Sequence, residues 1–261
     1  MNNQFRFDNG ATYERYMGKW SRLAGEVFLG WLAAEPGLRW LDVGCGNGAF
    51  TEMIVGRCAP ASIEGIDPSE EQLAHARAQT ALRDVQFRQG DAMALPFGDD
   101  TFDVAVMPLV IFFVPDPVKG VSEMVRVVRP GGVVAAYAWD MVGGGFPYYA
   151  LSTEMRELGI AVSMPPSADA SRMDRLRDLW TGAGLDAVET REIEVQRTFT
   201  GFEDYWQTNL GAPSSGARLA AMPAADLERL KTRLHARLPT DASGRITCSA
   251  RANAIKGRVR K

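Results

Sequence analysis

A short glycine-rich turn, with an acidic residue some way beyond it, constrains the fold of this 261-residue chain more than any other feature. Residues 39–43 form an apolar-rich run of strand length, and Gly-Cys-Gly-Asn-Gly follows at 44–48. Glycines let a chain turn sharply and bring its backbone N–H groups against a ligand. Asp67 lies nineteen positions after Gly48, at the end of the next predicted strand, residues 62–66. A carboxylate there can accept both hydroxyls of a ribose, so the pattern predicts a nucleoside-binding pocket.

The glycines alone do not identify the cofactor. Gly44, Gly46 and Ala49 also fit the Gly-x-Gly-x-x-Ala fingerprint of dinucleotide-binding proteins. Asp42 separates the two possibilities, because a carboxylate two residues before the first glycine repels a pyrophosphate and attracts a cation. The charge therefore favours S-adenosylmethionine (SAM), which carries an ammonium and a sulfonium group.

Four further segments follow the glycine turn in order. They are Gly-Ile-Asp-Pro-Ser at 65–69, Gly-Asp-Ala-Met-Ala-Leu-Pro-Phe at 90–97, Asp-Asp-Thr-Phe-Asp-Val-Ala-Val at 99–106 and Arg-Val-Val-Arg-Pro-Gly-Gly at 126–132. Together with the turn they resemble the class I SAM-dependent methyltransferases, in the branch that includes ubiquinone and menaquinone biosynthesis enzymes and many small-molecule relatives. The resemblance covers residues 39–138 and implies methylation of a small molecule with SAM as cofactor.

The resemblance also implies which residues contact the cofactor. The expected contacts are Asp42 at the amino group, Gly44, Cys45, Gly46 and Gly48 in the turn, Asp67, Pro68 and Ser69 at the ribose, Asp91, Ala92 and Met93 around the adenine, and Pro108 and Leu109 near the methyl end. Structural roles are the alternatives at two of these positions. Asp67 is also suited to cap a helix, and Asp91 to close a turn.

Residues 11–34 predict one or two helices before the first strand, since their apolar side chains recur at three- and four-residue spacings. In family members such a segment folds over the cofactor, so Tyr16 and Trp20 are candidates to close the methionine end of the pocket. Packing in the core explains the same spacing equally well.

No catalytic base stands out in the sequence. The two histidines, His75 and His235, fall on predicted helices and read as surface residues. Relatives often carry a histidine just after the fourth strand, where this chain has Phe112 and Phe113, which weakens any case for histidine-dependent oxygen methylation. An acceptor oxygen needs a base or a lowered pKa, whereas a carbanion-like carbon or a free amine needs little help.

The segments after the fourth and fifth strands supply the remaining candidates. Asp140 is a weak candidate for catalysis, and a simple turn role explains it as well. Phe112, Trp139 and Tyr149 are candidate substrate contacts. Aromatic residues without a basic stripe indicate a small, partly apolar acceptor.

Composition argues against several other classes of protein. Lys and Arg number 29 against 32 Asp and Glu, so the formal charge of −3 gives no general attraction to nucleic acid. The three cysteines form no Cys-x-x-Cys pair, which suits a reducing cytoplasm and leaves no zinc motif. The first residues lack a signal-peptide pattern, and the longest apolar run, 104–114, is too short for a membrane helix. We expect a soluble cytoplasmic protein without a metal, a nucleic acid partner or membrane insertion.

Strand-like runs alternate with helical stretches from residue 39 to residue 138. This alternation implies a Rossmann-like, doubly wound, mostly parallel sheet covered on both faces. In the family two further strands, expected here at 187–196 and 245–255, complete a seven-stranded sheet with an antiparallel edge strand. Residues 199–240 between them predict a helical lid, with a plain structural extension as the alternative.

The length predicts one domain with a sizeable core. Within it we expect an N-terminal helical cap at 1–36, a cofactor-binding core at 37–140 and a C-terminal part at 141–261. Two other functions stay open at this stage. One is a SAM-binding protein without turnover, for want of a base, and the other is an NAD-dependent oxidoreductase, which would place Asp42 beside a pyrophosphate.

Overall fold

The computed structural model describes residues 14–210 and 216–260, and a seven-stranded sheet lies at its centre. The strands are β1 (Arg39–Val43), β2 (Ser62–Asp67), β3 (Gln86–Gln89), β4 (Phe102–Pro108), β5 (Val128–Trp139), β6 (Asp186–Phe199) and β7 (Ile246–Arg258). Their order across the sheet is β3-β2-β1-β4-β5-β7-β6. Strands β1 to β5 are parallel, and β7 runs antiparallel to both β5 and the edge strand β6. The predicted fold class is confirmed.

The strand order reverses between β1 and β4. From β1 the chain passes outward to β2 and β3 and then returns to β4 on the other side. Ligands of open α/β sheets bind at such a reversal, in the crevice beyond the carboxyl ends of the strands. All seven residues of β4 are buried, as expected for a parallel strand covered by helices on both faces.

Nine α-helices surround the sheet in the described residues, and a π-helical turn at Glu14–Gly18 precedes the first. They are α1 (Lys19–Leu32), α2 (Ala49–Cys58), α3 (Glu70–Arg77), α4 (Pro117–Val127), α5 (Tyr149–Glu157), α6 (Met173–Gly182), α7 (Phe202–Leu210), α8 (Gly216–Ala220) and α9 (Ala224–Arg237). Helix α3 begins at the predicted cap, where Ser69 Oγ accepts the N–H of Gln72 at 3.3 Å. No helix of these ranges is long and apolar enough to cross a bilayer.

Strand β5 is longer than the sequence predicts. It begins at Val128, whereas the apolar pattern predicts a start at residue 133 after two glycines. The reason is pairing with the residue that directly follows β7. Gly131 N–H donates to the Val259 carbonyl at 2.9 Å, and Val259 N–H donates to the Gly132 carbonyl at 3.0 Å. The glycine pair thus bulges within a continuing ladder instead of ending it.

The insertion between β6 and β7 is helical, as predicted, with α7, α8 and α9 in its described residues. Helix α9 packs on α5, where Arg233 and Arg237 each form ion pairs with Glu154 and Glu157. Residues 211–215 of the insertion and residues 1–13 of the expected cap lie outside the described ranges. That the N-terminal cap and the insertion cover the site stays a prediction.

Candidate active site

A cavity of about 400 Å³ opens at the carboxyl ends of β1, β2 and β4, where the strand order reverses. We call it the strand-end cavity. Nine of the residues predicted to contact the cofactor line it: Asp42, Gly44, Cys45, Gly46, Asp67, Pro68, Ser69, Pro108 and Leu109. Its size falls in the range of small-molecule sites in proteins.

The three glycines of the turn have different surroundings. Gly44, Gly46 and Gly48 all adopt positive φ, at 77°, 52° and 85°. A Cβ atom on Gly44 would lie 2.5 Å from Val110, and one on Gly48 would lie 2.5 Å from Leu82. A Cβ atom on Gly46 would meet nothing within 4 Å, and Gly46 lines the strand-end cavity, as Gly48 does not. Gly46 therefore leaves its backbone open to a ligand, whereas Gly48 is required by the packing of the turn.

Asp42 is completely buried in β1, between β2 and β4. Its Oδ2 accepts a hydrogen bond from Thr51 Oγ1 at 2.7 Å, while Oδ1 has no partner among the described residues. Burial raises the pKa of this carboxyl to about 7, the hydroxyl of Thr51 opposes the rise, and the charge of Asp67 adds to it. A buried acceptor without a donor costs free energy, which a cationic donor in the cavity would relieve.

Asp67 joins the glycine turn to the end of β2. Its Oδ2 accepts the N–H of Gly46 at 2.9 Å, and its Oδ1 accepts the N–H of Ser69 at 2.9 Å. Burial raises the pKa of this carboxyl, and the two backbone N–H groups pull it back. Each carboxylate oxygen can accept a second hydrogen bond. Asp67 therefore ties the glycine turn to the residues before α3, whose cap is Ser69, and still offers acceptors to the cavity.

Leu109 follows β4 with a φ of 60°, which is unusual for a residue with a branched side chain. Its N–H donates to the Tyr137 carbonyl at 2.7 Å, which holds it against the end of β5. Backbone strain of this kind clusters at ligand sites, and Leu109 lines the strand-end cavity together with Pro108.

The segment predicted at the adenine lies apart from the cavity wall. Asp91, Ala92 and Met93 do not line the strand-end cavity. Asp91 is exposed, and its Oδ1 accepts the N–H of Met93 at 2.8 Å, closing the turn after β3. This is the turn role that the sequence left open. An adenine contact by these three residues stays a prediction.

A second cavity, of about 150 Å³, adjoins the first, and we call it the aromatic cavity. Its wall contains Tyr16 and the three predicted substrate contacts, Phe112, Trp139 and Tyr149. Further lining residues are Met17, Met141, Phe146, Met155 and Met164. Ser21, Leu109 and Phe113 line both cavities, so the two meet at these side chains.

Trp20 lines neither cavity but supports the wall. It is completely buried, and its Nε1 donates to Tyr148 Oη at 3.1 Å. Tyr148 donates in turn to the Tyr16 carbonyl at 2.6 Å, and its ring stacks on that of Tyr16 at 4.5 Å. Arg197 also donates to the carbonyls of Arg15 and Tyr16, at 2.9 and 3.3 Å. This buried network fixes the π-helical turn, and with it Tyr16, over the aromatic cavity.

The candidate for catalysis is committed to other contacts. Asp140 lines neither cavity. Its Oδ2 accepts from Arg251 at 2.6 Å, and its Oδ1 accepts the N–H of Gly143 at 2.8 Å, which is the turn role weighed from the sequence. His75 and His235 are both exposed and line neither cavity.

Sequence reasoning missed Ser21, Arg156 and Arg218, which all line the aromatic cavity. Ser21 Oγ is buried without a hydrogen-bond partner in the described residues. No motif marks these side chains, because each comes from a different helix and only the packing of α1, α5 and α8 brings them together. Only Arg156 has an indirect signal in the sequence. It is a cation on the same short amphipathic segment as the candidate Tyr149.

Comparison with known proteins agrees with this geometry. Residues 41–136 match the model of a family described as a methyltransferase domain. An uncharacterised protein of Mycobacterium tuberculosis is 30% identical over 224 residues, which cover 83% of this chain and 81% of that protein. The 2-methyl-6-phytyl-1,4-hydroquinone methyltransferase 2 of Oryza sativa is 43% identical over 115 residues, 44% of this chain and 32% of that enzyme.

The fold is also found in a solved structure. Phosphoethanolamine N-methyltransferase 2 of Haemonchus contortus, in complex with SAM, matches 96% of this chain and 56% of its own length with a TM-score of 0.59. The sequences are 16% identical, so this likeness concerns the fold.

Proposed function

Because the chain belongs to the class I SAM-dependent methyltransferases and uses SAM as its cofactor, we propose that it methylates a small, partly apolar acceptor held in the aromatic cavity. The observation that carries the proposal is the junction of the two cavities at Ser21, Leu109 and Phe113. A donor and an acceptor placed on the two sides of this junction would be in contact.

The charges of the strand-end cavity fit the proposed donor. Among the described residues, three carboxylates line it, those of Asp42, Asp67 and Glu71, against one guanidinium, that of Arg22. The free Oδ1 of Asp42 suits the amino group of SAM, and the spare acceptor sites of Asp67 suit the ribose hydroxyls. The space beside Gly46 lets a ligand approach the backbone of the turn. These features disfavour a dinucleotide, whose pyrophosphate would lie close to buried acids.

Bound SAM supplies a methyl group on a positively charged sulfur, and its transfer leaves a neutral thioether. The protein's part in such a reaction is mainly alignment, which can provide effective molarities of about 10⁵ to 10⁸ M. Leu109 and Phe113 lie between the two cavities, and Leu109 is fixed there by its hydrogen bond to the Tyr137 carbonyl. Ser21 adds a hydroxyl at the same place.

The aromatic cavity favours an acceptor that needs no base from its walls. Its described lining residues include no imidazole, carboxylate or lysine amine. The Tyr148 hydroxyl is engaged with Tyr16, and burial raises the pKa of this phenol well above its usual value. An amine, an activated carbon or an oxygen that is already ionised fits these walls. The hydroquinone named for the Oryza relative is an activated ring of this kind.

Two measurements test the proposal. Calorimetry should show that the purified protein binds SAM and S-adenosylhomocysteine and does not bind NAD. Incubation with methyl-labelled SAM and a small-molecule extract should then move the label into a low-mass product. Label only in protein or nucleic acid would contradict a small acceptor, and binding of NAD alone would contradict the assigned donor.

The absence of a nucleic acid partner and a cytoplasmic location also stay proposals. The even balance of charges supports the first, and the three free cysteines, Cys45, Cys58 and Cys248, support the second.

A further inference from the structure

The aromatic cavity carries positive charge. Its charged lining residues, within the described chain, are Arg156 and Arg218, and no acidic side chain lines it. Its other walls are mainly aromatic rings, methionines and aliphatic side chains, with three serine hydroxyls. An apolar surrounding strengthens the interaction of the half-buried Arg218 with an anion, because water screens it less, whereas Arg156 is exposed.

Arg218 belongs to α8 and is half-buried at the wall. It donates to the Ala161 carbonyl and, at 2.9 Å, to Ser163 Oγ. Both of these partners are neutral, and no ion pair joins Arg218 to another described residue. The remaining N–H groups of its planar guanidinium can therefore donate into the cavity.

Arg156 lies near the end of α5. Its Nε donates to the Ser152 carbonyl at 3.1 Å, and its guanidinium lies 5.4 Å from the centre of the Tyr149 ring. Arg156 is exposed, and these contacts leave both of its terminal nitrogens without a partner in the described residues. The two acids of the same helix do not neutralise it, because Glu154 and Glu157 pair with Arg233 and Arg237 of α9.

The two arginines line the aromatic cavity alone. Neither lines the strand-end cavity, whereas Ser21, Leu109 and Phe113 line both. A ring fits the space between, since a cavity of about 150 Å³ holds a benzene molecule. An acceptor bound there would place one end at the junction and the other at the guanidinium groups.

We propose that the acceptor is an aromatic acid whose carboxylate is bound by Arg156 and Arg218, with the atom to be methylated at the opposite end of the molecule. This inference rests on the proposed function and adds the charge and the orientation of the substrate. Planar guanidinium groups bind carboxylates with paired hydrogen bonds, so the two side chains select acids over neutral analogues of the same shape.

Benzoate and benzamide test the inference, because they share a ring and differ in charge. Their affinities are measured by calorimetry on the protein saturated with S-adenosylhomocysteine. Benzoate should bind about tenfold or more tightly than benzamide. In Arg156→Gln and in Arg218→Gln this preference should fall to about threefold or less, while the affinity for benzamide stays within about twofold.

Arg229→Gln is the matched control. Arg229 is an exposed residue of α9 whose one ion pair within the described chain is with Asp226, at 3.8 Å. It lines neither cavity, and its loss changes the net charge equally. This variant should keep the full preference for benzoate. Arg156→Gln carries the test if Arg218→Gln does not fold, because Arg156 makes one hydrogen bond, to the backbone of its own helix.

Equal binding of the two probes to the unmodified protein, failure of benzoate to bind, or a preference that survives in Arg156→Gln would each overturn the inference. A second assay uses the reaction itself. A metabolite extract is separated into acids and neutral compounds before methyl-labelled SAM is added, and label should enter the acids. Label confined to neutral compounds overturns the aromatic acid and leaves methyl transfer intact, whereas failure to bind SAM contradicts the proposed function itself.

Discussion

The two adjoining cavities have opposite charges and are built in different ways. Acids dominate the strand-end cavity, and arginines provide the charge of the aromatic cavity. The first is formed largely by the ends of neighbouring strands and the turns that follow them. The second collects side chains from the π-helical turn, α1, the ends of β4 and β5, α5 and the insertion. The cavity proposed for the cationic donor is thus built largely from local sequence, whereas the cavity proposed for the acceptor depends on long-range packing.

The glycine turn offers the strongest test of the local half of this comparison. Gly48→Ala should lower the free energy of unfolding by about 2 to 5 kcal/mol, because a positive φ is strained and the new Cβ would overlap Leu82. Gly46→Ala incurs only the backbone strain, about 1 to 2 kcal/mol, and its methyl group enters the open space beside the cavity.

Urea unfolding and calorimetry with SAM separate the two variants. Gly48→Ala should show mainly a lower free energy of unfolding. Gly46→Ala should lose more free energy of SAM binding than free energy of unfolding. Equal stability of Gly48→Ala and the unmodified protein would show that the turn is not held by packing against Leu82.

Asp42 tests the negative charge of the strand-end cavity. Asp42→Asn keeps the shape and removes the charge, so SAM affinity should fall by about 10- to 100-fold, the value of hydrogen bonds to a charged group. In the unmodified protein the affinity should fall as the pH drops below about 7, because the carboxyl then takes up a proton. The asparagine variant should lack this pH dependence, and a parallel decline in both proteins would assign it to another group.

The stability of the ligand-free protein should also depend on the protonation of Asp42, but in the opposite direction with pH. The pKa of Asp42 rises from 3.8 to about 7 on folding, so the folded chain binds the extra proton between these values. The resulting stabilisation is complete below pH 3.8 and is lost as the pH rises to about 7, by up to about 1.4 kcal/mol per unit. The free energy of unfolding is measured against pH for Asp42→Asn and for the unmodified protein. The difference between the two curves isolates this contribution of Asp42.

These residues also show how much of the molecule its sequence predicts. The sequence alone predicts the strands and the glycine turn, and with them the positions of Asp42 and Asp67. These features depend on neighbours a few positions away or on a fixed spacing. The sequence places the start of β5 after its two glycines, because the pairing that carries the ladder past them comes from the end of β7, more than a hundred residues later.

The aromatic cavity could be predicted only in part. Aromatic residues near the ends of β4 and β5, such as Phe112 and Trp139, were identified from their positions after strands. The positions of Arg156 and Arg218 depend on how α5 and the insertion pack, which periodicity does not encode. The helical spacing of Trp20 predicts burial equally for a core residue and for a pocket wall, and in the structure its Nε1 donates to Tyr148, which lines the aromatic cavity.

The ion pairs between α5 and α9 test the long-range half of the comparison. Glu154 is nearly buried and accepts from the Nε atoms of Arg233 and Arg237 at 2.6 and 2.5 Å. Glu154→Gln should lower the free energy of unfolding by about 1 to 2 kcal/mol, since both arginines are partly solvated. It should also raise the KM for the acceptor and leave the Kd for SAM unchanged.

Glu157→Gln is the matched control, because Glu157 faces the same two arginines but is 42% exposed. Its effect on stability should stay below about 1 kcal/mol. An equal effect of the two substitutions would mean that burial of the ion pair does not matter, and a change in the Kd for SAM would mean that the two cavities are not independent.

Asp140 lines neither cavity and should give the smallest effect. Its carboxylate binds Arg251 and the N–H of Gly143 and does not line the aromatic cavity, although it directly follows Trp139, which does. In Asp140→Asn the amide oxygen can still accept from Gly143, so we expect kcat/KM for methyl transfer to stay within about twofold and the stability loss to stay below about 1 kcal/mol. Steady-state kinetics with labelled SAM measures the first quantity. A fall of about a hundredfold in kcat at unchanged stability would give this carboxylate a part in the chemistry and would place an acid at a cavity whose described charges are all positive.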